Sequence, residues 1–414
     1  MSTDLLIETA PSFSSSIPEP LQQRYTNWKK NTRLLYEYLN TNSTKWPSLT
    51  CQFMPDMDIA SDKHRILLSS FTSAQLPEDE AIYISEISTM KHIAWSSLNN
   101  FHMEEMEFKV DNQVKLSKNL TETIKIQFPE GDCNRARYMP QNPDVIASAS
   151  SLGSVYIFDR TKHGSNRPKI LGNTFKYDME LKEVESGCNY EASSLAWNYQ
   201  RSGILAASYS DGDVKIWDIT KYNKAQPQLT VPDLRWQVDK EGANEVSWMV
   251  HHSSILAVCG EGNGLTILDT RTPTTFSTKR HSCHTGGINA VQFNYDNDFL
   301  LCSADSEGTL NICDIRQLEH PVKTWSHLDA VSTIQWNPKF PTVIASAGQN
   351  DGLVKIWDLA QEDDPLVFIH GGHMLGVNDI AWNHHDPWVM CSVSNDNSVH
   401  IWKPAANIVN GNNS

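Results

Sequence analysis

Short apolar runs that end in an aromatic or other large residue, usually followed by Asp, recur along most of the chain. Their last large residues are spaced between 44 and 59 residues apart. The six runs are Val155–Asp159, Val214–Asp218, Leu265–Asp269, Leu310–Asp314, Val354–Asp358 and Val399–Lys403, aligned on Phe158, Trp217, Leu268, Cys313, Trp357 and Trp402. A spacing near 45 residues with a terminal Trp-Asp is typical of a repeated four-stranded sheet.

These repeats predict an all-β fold, a seven-bladed WD-repeat β-propeller over residues 44–404, because Ala81–Ile87 ends one further blade. The last repeat offers only three strands, which would leave an exposed sheet edge. We therefore expect the apolar segment Leu49–Phe53 to supply the fourth strand and close the ring.

An N-terminal α-helix is predicted within residues 21–43. Leu34 and Tyr38 lie off its apolar stripe, so the helix has more apolar surface than one buried face needs. The stripe consists of Leu21, Tyr25, Trp28, Thr32, Leu35 and Leu39. Two interpretations remain open: the helix lies in a groove of its own domain, or one edge stays available for a partner.

The other segments lack a repeat pattern. Residues 1–20 are rich in Ser and Pro and are predicted to be a disordered tail, and residues 405–414 to be a frayed C-terminal tail. Residues 90–122 and 161–190 are predicted to be surface insertions.

Charge and cysteine content narrow the function classes. The net charge of −15 disfavours direct nucleic-acid binding and suits a basic partner. The eight cysteines include no C-x-x-C pair, which indicates reduced thiols in the nucleus or cytosol. No secretory signal or membrane-spanning apolar run is apparent.

Several polar residues recur at fixed places in the repeats and are predicted to form structural hydrogen bonds. Asp211, Asp351 and Asp396 stand six residues before Trp217, Trp357 and Trp402, and His284, His327 and His373 precede the first strand of their repeats. Ser392 or Ser394 could link His373 to the Trp402 indole. In other repeats Leu152, Gly262 and Glu307 take the Asp position, so those blades are expected to depend more on packing.

No catalytic, cofactor or metal site is predicted. His370-Gly-Gly-His373 and His281-Ser-Cys-His284 have zinc-ligand spacing, but both coincide with the turn that precedes a repeat. Gly260–Gly264 precedes a strand rather than a helix, so it lacks the helix N-terminus that phosphate binding needs.

One acidic segment and an apolar run follow Asp358, the end of the fifth repeated strand. Glu362, Asp363 and Asp364 precede Leu366–Ile369. Ring closure should bring this loop next to the N-terminal helix. Leu34, Tyr38 and Phe368 would then form an apolar floor with a negative edge, which suits a basic amphipathic helix. A solvated acidic loop is the alternative.

Four motifs are more specific than the repeat itself: Lys29–Tyr38, Lys45–Thr50, Asn134–Pro143 and Phe368–His373. They resemble the MSI-type, retinoblastoma-associated histone-binding WD-repeat family, and the resemblance runs from about residue 22 to residue 404. Within that family, Ser43–Phe53 and Gly371–Pro404 look closest to the small subunit of the fungal chromatin assembly factor.

The resemblance implies that the first helix of histone H4 binds between the N-terminal helix and the loop before the last blade. The implied contacts are Leu34, Leu35, Tyr38, Phe368 and Ile369 for apolar groups, and Glu362, Asp363 and Asp364 for basic ones. Many relatives also bind the histone H3 tail on the axial face, where Asp132, Asn134, Arg135 and Glu191 match here. Lys45, Ser193, Ala330 and Asn395 depart from the acidic or aromatic pattern, so tail binding is expected to be weak or absent.

The implied function is a non-enzymatic histone H3–H4-binding subunit of the chromatin assembly factor, acting in the nucleus and possibly also the cytoplasm. Its expected partners are histone H4 with H3 and the larger subunits of that complex, without direct nucleic-acid or membrane binding. The alternatives are the histone-binding subunit of a type B histone acetyltransferase and a signalling scaffold linked to Ras–cyclic AMP control.

Overall fold

The computed structural model describes residues 19–58, 63–73, 75–88, 101–102, 107–108, 120–163, 177–183, 190–221, 227–272 and 279–409. Seven sheets, each with at least four strands, follow one another along these residues. Their innermost strands contact one another in sequence, and the last also contacts the first, which closes a ring. The predicted seven-bladed propeller with an N-terminal helix is confirmed.

The chain starts with helix α1 (Glu19–Leu35) and strand β1 (Tyr36–Ser43). Blades 1 to 3 follow, each given from its inner to its outer strand. Blade 1 has β2 (Cys51–Asp58), β3 (Lys63–Ser69), β4 (Ala81–Ser88) and β7 (Thr121–Gln127), with the pair β5 (Phe101–His102) and β6 (Glu107–Phe108) between the last two. Blade 2 has β8 (Cys133–Met139), β9 (Asn142–Ser150), β10 (Val155–Asp159) and β11 (Met179–Leu181), with β15 (Gln228–Leu229) added in parallel. Blade 3 has β12 (Ala192–Trp197), β13 (Ile204–Tyr209), β14 (Asp213–Asp218) and β16 (Leu234–Gln237).

Blades 4 to 7 complete the ring, and a short helix follows them. Blade 4 has β17 (Ala243–Trp248), β18 (Ile255–Gly260), β19 (Gly264–Asp269) and β20 (Lys279–Ser282). Blade 5 has β21 (Ile288–Phe293), β22 (Leu300–Asp305), β23 (Thr309–Asp314) and β24 (Lys323–Ser326). Blade 6 has β25 (Val331–Trp336), β26 (Val343–Gly348), β27 (Val354–Asp358) and β28 (Leu366–His370). Blade 7 has β29 (Val377–Trp382), β30 (Met390–Ser394), β31 (Ser398–Pro404) and β1, and then comes α2 (Ala406–Val409).

The strand that closes the ring differs from the predicted one. β1 pairs with β31 in antiparallel register from Tyr36 opposite Pro404 to Ser43 opposite Ser398. The segment Leu49–Phe53 instead contributes to β2, the innermost strand of blade 1, so that prediction was wrong. The helix likewise ends at Leu35 rather than near residue 43. Beyond it Tyr38 packs in the cluster between blades 7 and 1 and Leu39 in the cluster between blades 6 and 7, so adjacent side chains are buried on opposite faces, as in a strand.

Three predicted boundaries also change. The predicted insertion 90–122 contains the pair β5 and β6 and overlaps the first two residues of β7, and β11 lies inside the predicted insertion 161–190. Within the predicted tail 405–414, residues 406–409 form α2. The predicted tail 1–20 lies outside the described residues except for its last two. Among the described helices, none has the length and apolarity needed to span a membrane.

Candidate functional site

Helix α1 is fixed to blade 7 by one buried tryptophan. The Trp28 side chain is 8% exposed, and its Nε1 donates to Tyr36 Oη at 2.7 Å. That hydroxyl lies 2.7 Å from His370 Nδ1, and the Trp28 ring stacks on His400 with centroids 6.1 Å apart. A Cβ atom at Gly372 would come within 2.7 Å of Trp28 Cζ2, so glycine is needed for the indole to fit.

A second anchor holds α1 across blades 6 and 7. The Arg24 guanidinium donates to the carbonyl oxygens of Asp351 and His373, the latter at 2.8 Å. Burial lowers the pKa of Arg24, and Asp351 opposes this shift. An arginine stays protonated in proteins, so these contacts persist across physiological pH.

The C-terminal end of α1 meets the outer strand of blade 6. Leu35 and Val367 pack against the hydrophobic cluster that contains Phe368. Leu34 and Ile369, each next to one of these residues, stay 63% and 42% exposed. One exposed apolar side chain on the helix and one on the strand therefore lie beside one shared core, as a surface for an apolar helix face requires. We call this surface the lateral groove.

Two predicted contacts do not line the lateral groove. Phe368 is only 5% exposed because it faces the core of blade 6, whereas Ile369 faces outward as the next residue of the strand. Tyr38 is 4% exposed and packs in the cluster between blades 7 and 1, where its hydroxyl donates to the Ser88 carbonyl at 3.0 Å. The expectation that these two rings are exposed was wrong.

The acidic loop forms the edge of the groove. Glu362, Asp363 and Asp364 are exposed in the connection between β27 and β28. Asp358 N donates to Pro365 O at 2.8 Å and closes the base of this connection. Within the described part of the chain, no side chain forms an ion pair with the three carboxylates. Their charge is thus available to a ligand.

A third element, which the sequence did not reveal, borders the groove. Helix α2 contacts β28, its Ile408 packs against the cluster of Phe368, and Ala405 N donates to Leu35 O at 2.9 Å. The apolar pair Ile408 and Val409 in an otherwise Asn-rich segment was the only available signal.

The axial surface, which comprises Asp132, Asn134, Arg135 and Glu191, is largely occupied by its own contacts. Asn134 Nδ2 donates to Glu191 Oε1 at 2.7 Å. Asp132 is 9% exposed. Burial and, to a lesser extent, the nearby Asp132 carboxylate raise the pKa of Glu80 to about 7. Of these four residues, only Glu191 is exposed, while Asn134 and Arg135 are partly buried.

Arg135 is an internal bridge rather than an open ligand-binding residue. Its guanidinium lies 3.1 Å from both Asp379 Oδ1 and Glu245 Oε1, and its side chain is 12% exposed. Asp379 is fully buried and also pairs with Arg137 at 2.9 Å. Two arginines of blade 2 thus compensate one carboxylate of blade 4 and one of blade 7, and the Arg135 guanidinium already has partners within its own chain.

The repeat residues make the expected structural hydrogen bonds in blades 6 and 7. His327 Nδ1 and the Trp357 indole meet at Ser346 Oγ, at 2.7 and 2.8 Å. The same bonds run from His373 and Trp402 to Ser392 Oγ, at 2.7 and 3.1 Å. The carboxylates of Asp351 and Asp396 lie 3.6 and 3.9 Å from the two histidines, beyond hydrogen-bond distance, so the predicted direct His–Asp bond is not made in these two blades. In blade 3, Asp211 caps its turn by accepting from Asp213 N.

Blade 5 contains this network in an unexpected form. His284 Nδ1 lies 2.8 Å from Asp305 Oδ2, and His284 Nε2 lies 2.7 Å from Ser303 Oγ. Asp305 precedes the aligned Glu307 by two residues in the same turn, where it also accepts from Thr309 N at 2.7 Å. The expectation that this blade depends on packing instead was wrong.

The histidines with zinc-ligand spacing pack in the core and form hydrogen bonds there. Ligand atoms of His370, His373 and His400 lie within 4.8 Å of one another. However, both nitrogens of His373 are bonded to serine hydroxyls at 2.7 Å, and His370 Nε2 is bonded to His400 Nδ1 at 3.1 Å. The His373 and His400 rings stack 4.1 Å apart at 16°, so their in-plane lone pairs run parallel instead of converging on one ion.

Comparisons with known proteins agree with this architecture. A family model that describes the histone-binding protein RBBP4, or a subunit of the CAF1 complex, matches residues 23–91, which contain most of α1. The WD domain, G-beta repeat model matches residues 276–314, 319–358 and 365–403. The histone-binding protein MSI1 of Saccharomyces cerevisiae is 55% identical over 410 residues, which cover 96% of this chain and 97% of that protein. The chain therefore belongs to the MSI1-type family of histone-binding WD-repeat proteins.

Proposed function

We propose that this chain is the histone H3–H4-binding subunit of a chromatin assembly factor and acts in replication-coupled nucleosome assembly in the nucleus. Its relative is named as a histone-binding protein, and the matching family description names a member of the CAF1 complex. That description favours the assembly factor over the acetyltransferase and signalling alternatives. The observation that carries the proposal is that the exposed side chains of Leu34 and Ile369 lie beside three exposed carboxylates at the lateral groove.

The groove fits a basic amphipathic helix, the first helix of histone H4. Leu34, Leu35 and Ile369 would cover the apolar face of that helix. Glu362, Asp363 and Asp364 would face its Lys and Arg side chains, which speeds encounter and selects basic ligands. No bond is made or broken, so the role is capture and shielding rather than catalysis.

Charge reversal at the groove edge tests this proposal. We expect Glu362→Lys/Asp363→Lys/Asp364→Lys to weaken binding of an H4 first-helix peptide by at least about tenfold at physiological salt, because attraction becomes repulsion. Fluorescence anisotropy titration measures it, and the difference from the wild type should shrink at high salt.

A matched control separates local from overall charge. Asp296→Lys/Glu307→Lys/Glu319→Lys changes the net charge equally at three exposed positions of blade 5 and should leave the affinity nearly unchanged. Leu35→Ala and Ile369→Ala should each weaken binding by about 1–3 kcal/mol if they are anchors. Equal affinity in the groove variants and the wild type would refute the site.

A further inference from the structure

Blade 5 carries two cysteines where the other blades carry different residues. Cys313 stands at the position that Trp357 and Trp402 occupy in blades 6 and 7. Cys283 immediately precedes His284 in the connection from blade 4. Both sulfurs belong to one cluster, in which Cys313 is fully buried and Cys283 is partly exposed. The smaller side chain at the tryptophan position leaves room for a second thiol.

Hydrogen-bond donors surround the Cys283 thiol. The Cys283 side chain packs against the cluster that contains Cys313, and Cys313, His284 and Ser303 all act on its pKa through hydrogen bonding. The backbone is held as well, because Asn311 Nδ2 donates to Cys283 O at 2.8 Å. His284 is fixed in turn by its bonds to Asp305 and Ser303. This is a partly exposed sulfur beside a second cysteine, a histidine and the carboxylate that orients the histidine.

The electrostatics of this cluster favour a thiolate on Cys283. The hydrogen bond from Cys313, aided by His284 and opposed by burial, lowers the pKa of Cys283 to about 5. Burial disfavours the charged His284 ring, but the bonds to Asp305 and Cys283 raise its pKa to about 9. By contrast, burial raises the pKa of Cys259 and Cys302, which belong to the neighbouring strands β18 and β22.

We propose that Cys283 and Cys313 form a peroxide-reactive dithiol that closes to a reversible disulfide. The Cys283 thiolate attacks one oxygen of hydrogen peroxide, gives a sulfenic acid and releases hydroxide, which takes up a proton to become water. The Cys313 sulfur then attacks the Cys283 sulfur, and the thiol proton leaves with the sulfenic oxygen as a second water. Two thiols are oxidised by two electrons, one peroxide is reduced to two waters, and a thiol reductant reverses the reaction.

Peptide mapping of the full-length protein after treatment with hydrogen peroxide tests the disulfide. Trypsin leaves Cys283, Cys302 and Cys313 in one peptide, because no Lys or Arg lies between His281 and Arg316. A glutamate-specific protease cuts after Glu307 and separates Cys313 from the other two. The Cys302→Ser variant then leaves Cys283 as the only cysteine on its fragment. We expect a reducible cross-link between the two fragments in the wild type and in Cys302→Ser.

Two further measurements test the roles of the two sulfurs. In Cys313→Ser the sulfenic acid cannot be resolved, so a dimedone adduct should accumulate at Cys283 and not at Cys302. The alkylation rate of Cys283 should change less than about twofold between pH 6.5 and 8, whereas a thiol of pKa near 8.5 gains about 20-fold. If no 283–313 cross-link forms, or if Cys283 reacts only with a cysteine of another copy, the proposal is wrong. An ordinary pH dependence would equally exclude the thiolate on which it rests.

Discussion

The lateral groove and the axial surface both contain carboxylates, but they differ in what those carboxylates already contact. At the axis, Asp379 and Glu245 are bound by Arg135 and Arg137 of the same chain. At the groove, the loop that begins with Glu362 has its three carboxylates exposed, with no ion pair to any side chain in the described ranges. A basic ligand can therefore gain new charge pairs at the groove, while at the axis it must compete with arginines in place.

The two surfaces also differ in apolar character. Leu34 and Ile369 leave large apolar area exposed beside the acidic loop. Around Arg135, the buried charges stabilise one another. Removing one partner of a buried ion pair leaves the other charge unpaired and lowers the stability of the fold by about 3–5 kcal/mol. Carboxylates that are buried and paired with arginine thus join blades at the axis, whereas carboxylates that stay exposed to water offer a binding surface at the groove.

The largest effect should follow from removal of the Trp28 side chain, which fixes helix α1 beside the lateral groove. Trp28→Ala deletes a buried indole, its hydrogen bond to Tyr36 and its stacking on His400, so we expect a loss of about 3–5 kcal/mol in the docking of α1. Hydrogen exchange of α1 amides should rise, and binding of the H4 helix peptide should be lost with it.

Trp46→Ala provides the matched control. This indole is partly exposed in the connection between β1 and β2, lies outside the cluster that holds α1, and makes one hydrogen bond to Asp79 at 3.0 Å. Its removal should leave α1 protected and peptide binding intact. Unchanged exchange in α1 of Trp28→Ala would show that the helix is held by other contacts.

Acid should loosen helix α1, which forms one wall of the lateral groove. Burial holds the pKa of His370 and His400 well below the usual 6.5, so their stabilising contribution is complete above that pH and falls as the pH drops below it. The charged and titratable groups around them are His373, Asp396 and Lys29, with the Tyr36 hydroxyl at His370. We expect α1 docking to weaken between pH 6.5 and 5.5, by at most about 1.4 kcal/mol per histidine.

His284 gives the opposite sign within the same protein. Its raised pKa of about 9 means that its contribution is complete below pH 6.5 and is lost as the pH rises towards 9. In the same blade, the lowered pKa of Cys283 acts in the other direction, because its stabilising contribution is lost as the pH falls towards 5. The test is therefore α1 itself, whose exchange, corrected for the intrinsic pH dependence, should increase as the pH falls to 5.5. Unchanged exchange of α1 over this range would mean that the buried histidines do not control its docking.

The repeats made the fold predictable, because each blade carries the same strand ending and the same turn residues. Ring closure was not predictable in this way. Leu35 and Leu39 continue a helical spacing, and the strand β31 that pairs with β1 lies more than 350 residues later. Tertiary pairing decided between helix and strand after Leu35, and no local signal reports such a partner.

The groove residues were predictable in kind but not in orientation. The acidic loop and Leu34 could be identified from charge and from the apolar excess of the helix, whereas Ile369 was predicted only through the family resemblance. Phe368 and Ile369 are neighbours, and a shift of one residue in strand register would exchange their faces. The partner of Arg135 was invisible for the same reason, since Asp379 is brought to it only by the closed ring.

The smallest effect should appear at the axial surface. An unmodified histone H3 tail peptide should bind the isolated protein more weakly than micromolar, because Asn134 and Glu191 already bond each other and Arg135 repels cationic groups. Glu191→Gln removes the most exposed carboxylate there, and we expect it to change peptide affinity by less than about twofold. Calorimetric titration of both proteins checks this, with the H4 helix peptide as the positive control. Micromolar or tighter tail binding that Glu191→Gln abolishes would make the axial surface a second histone site and remove the contrast with the groove.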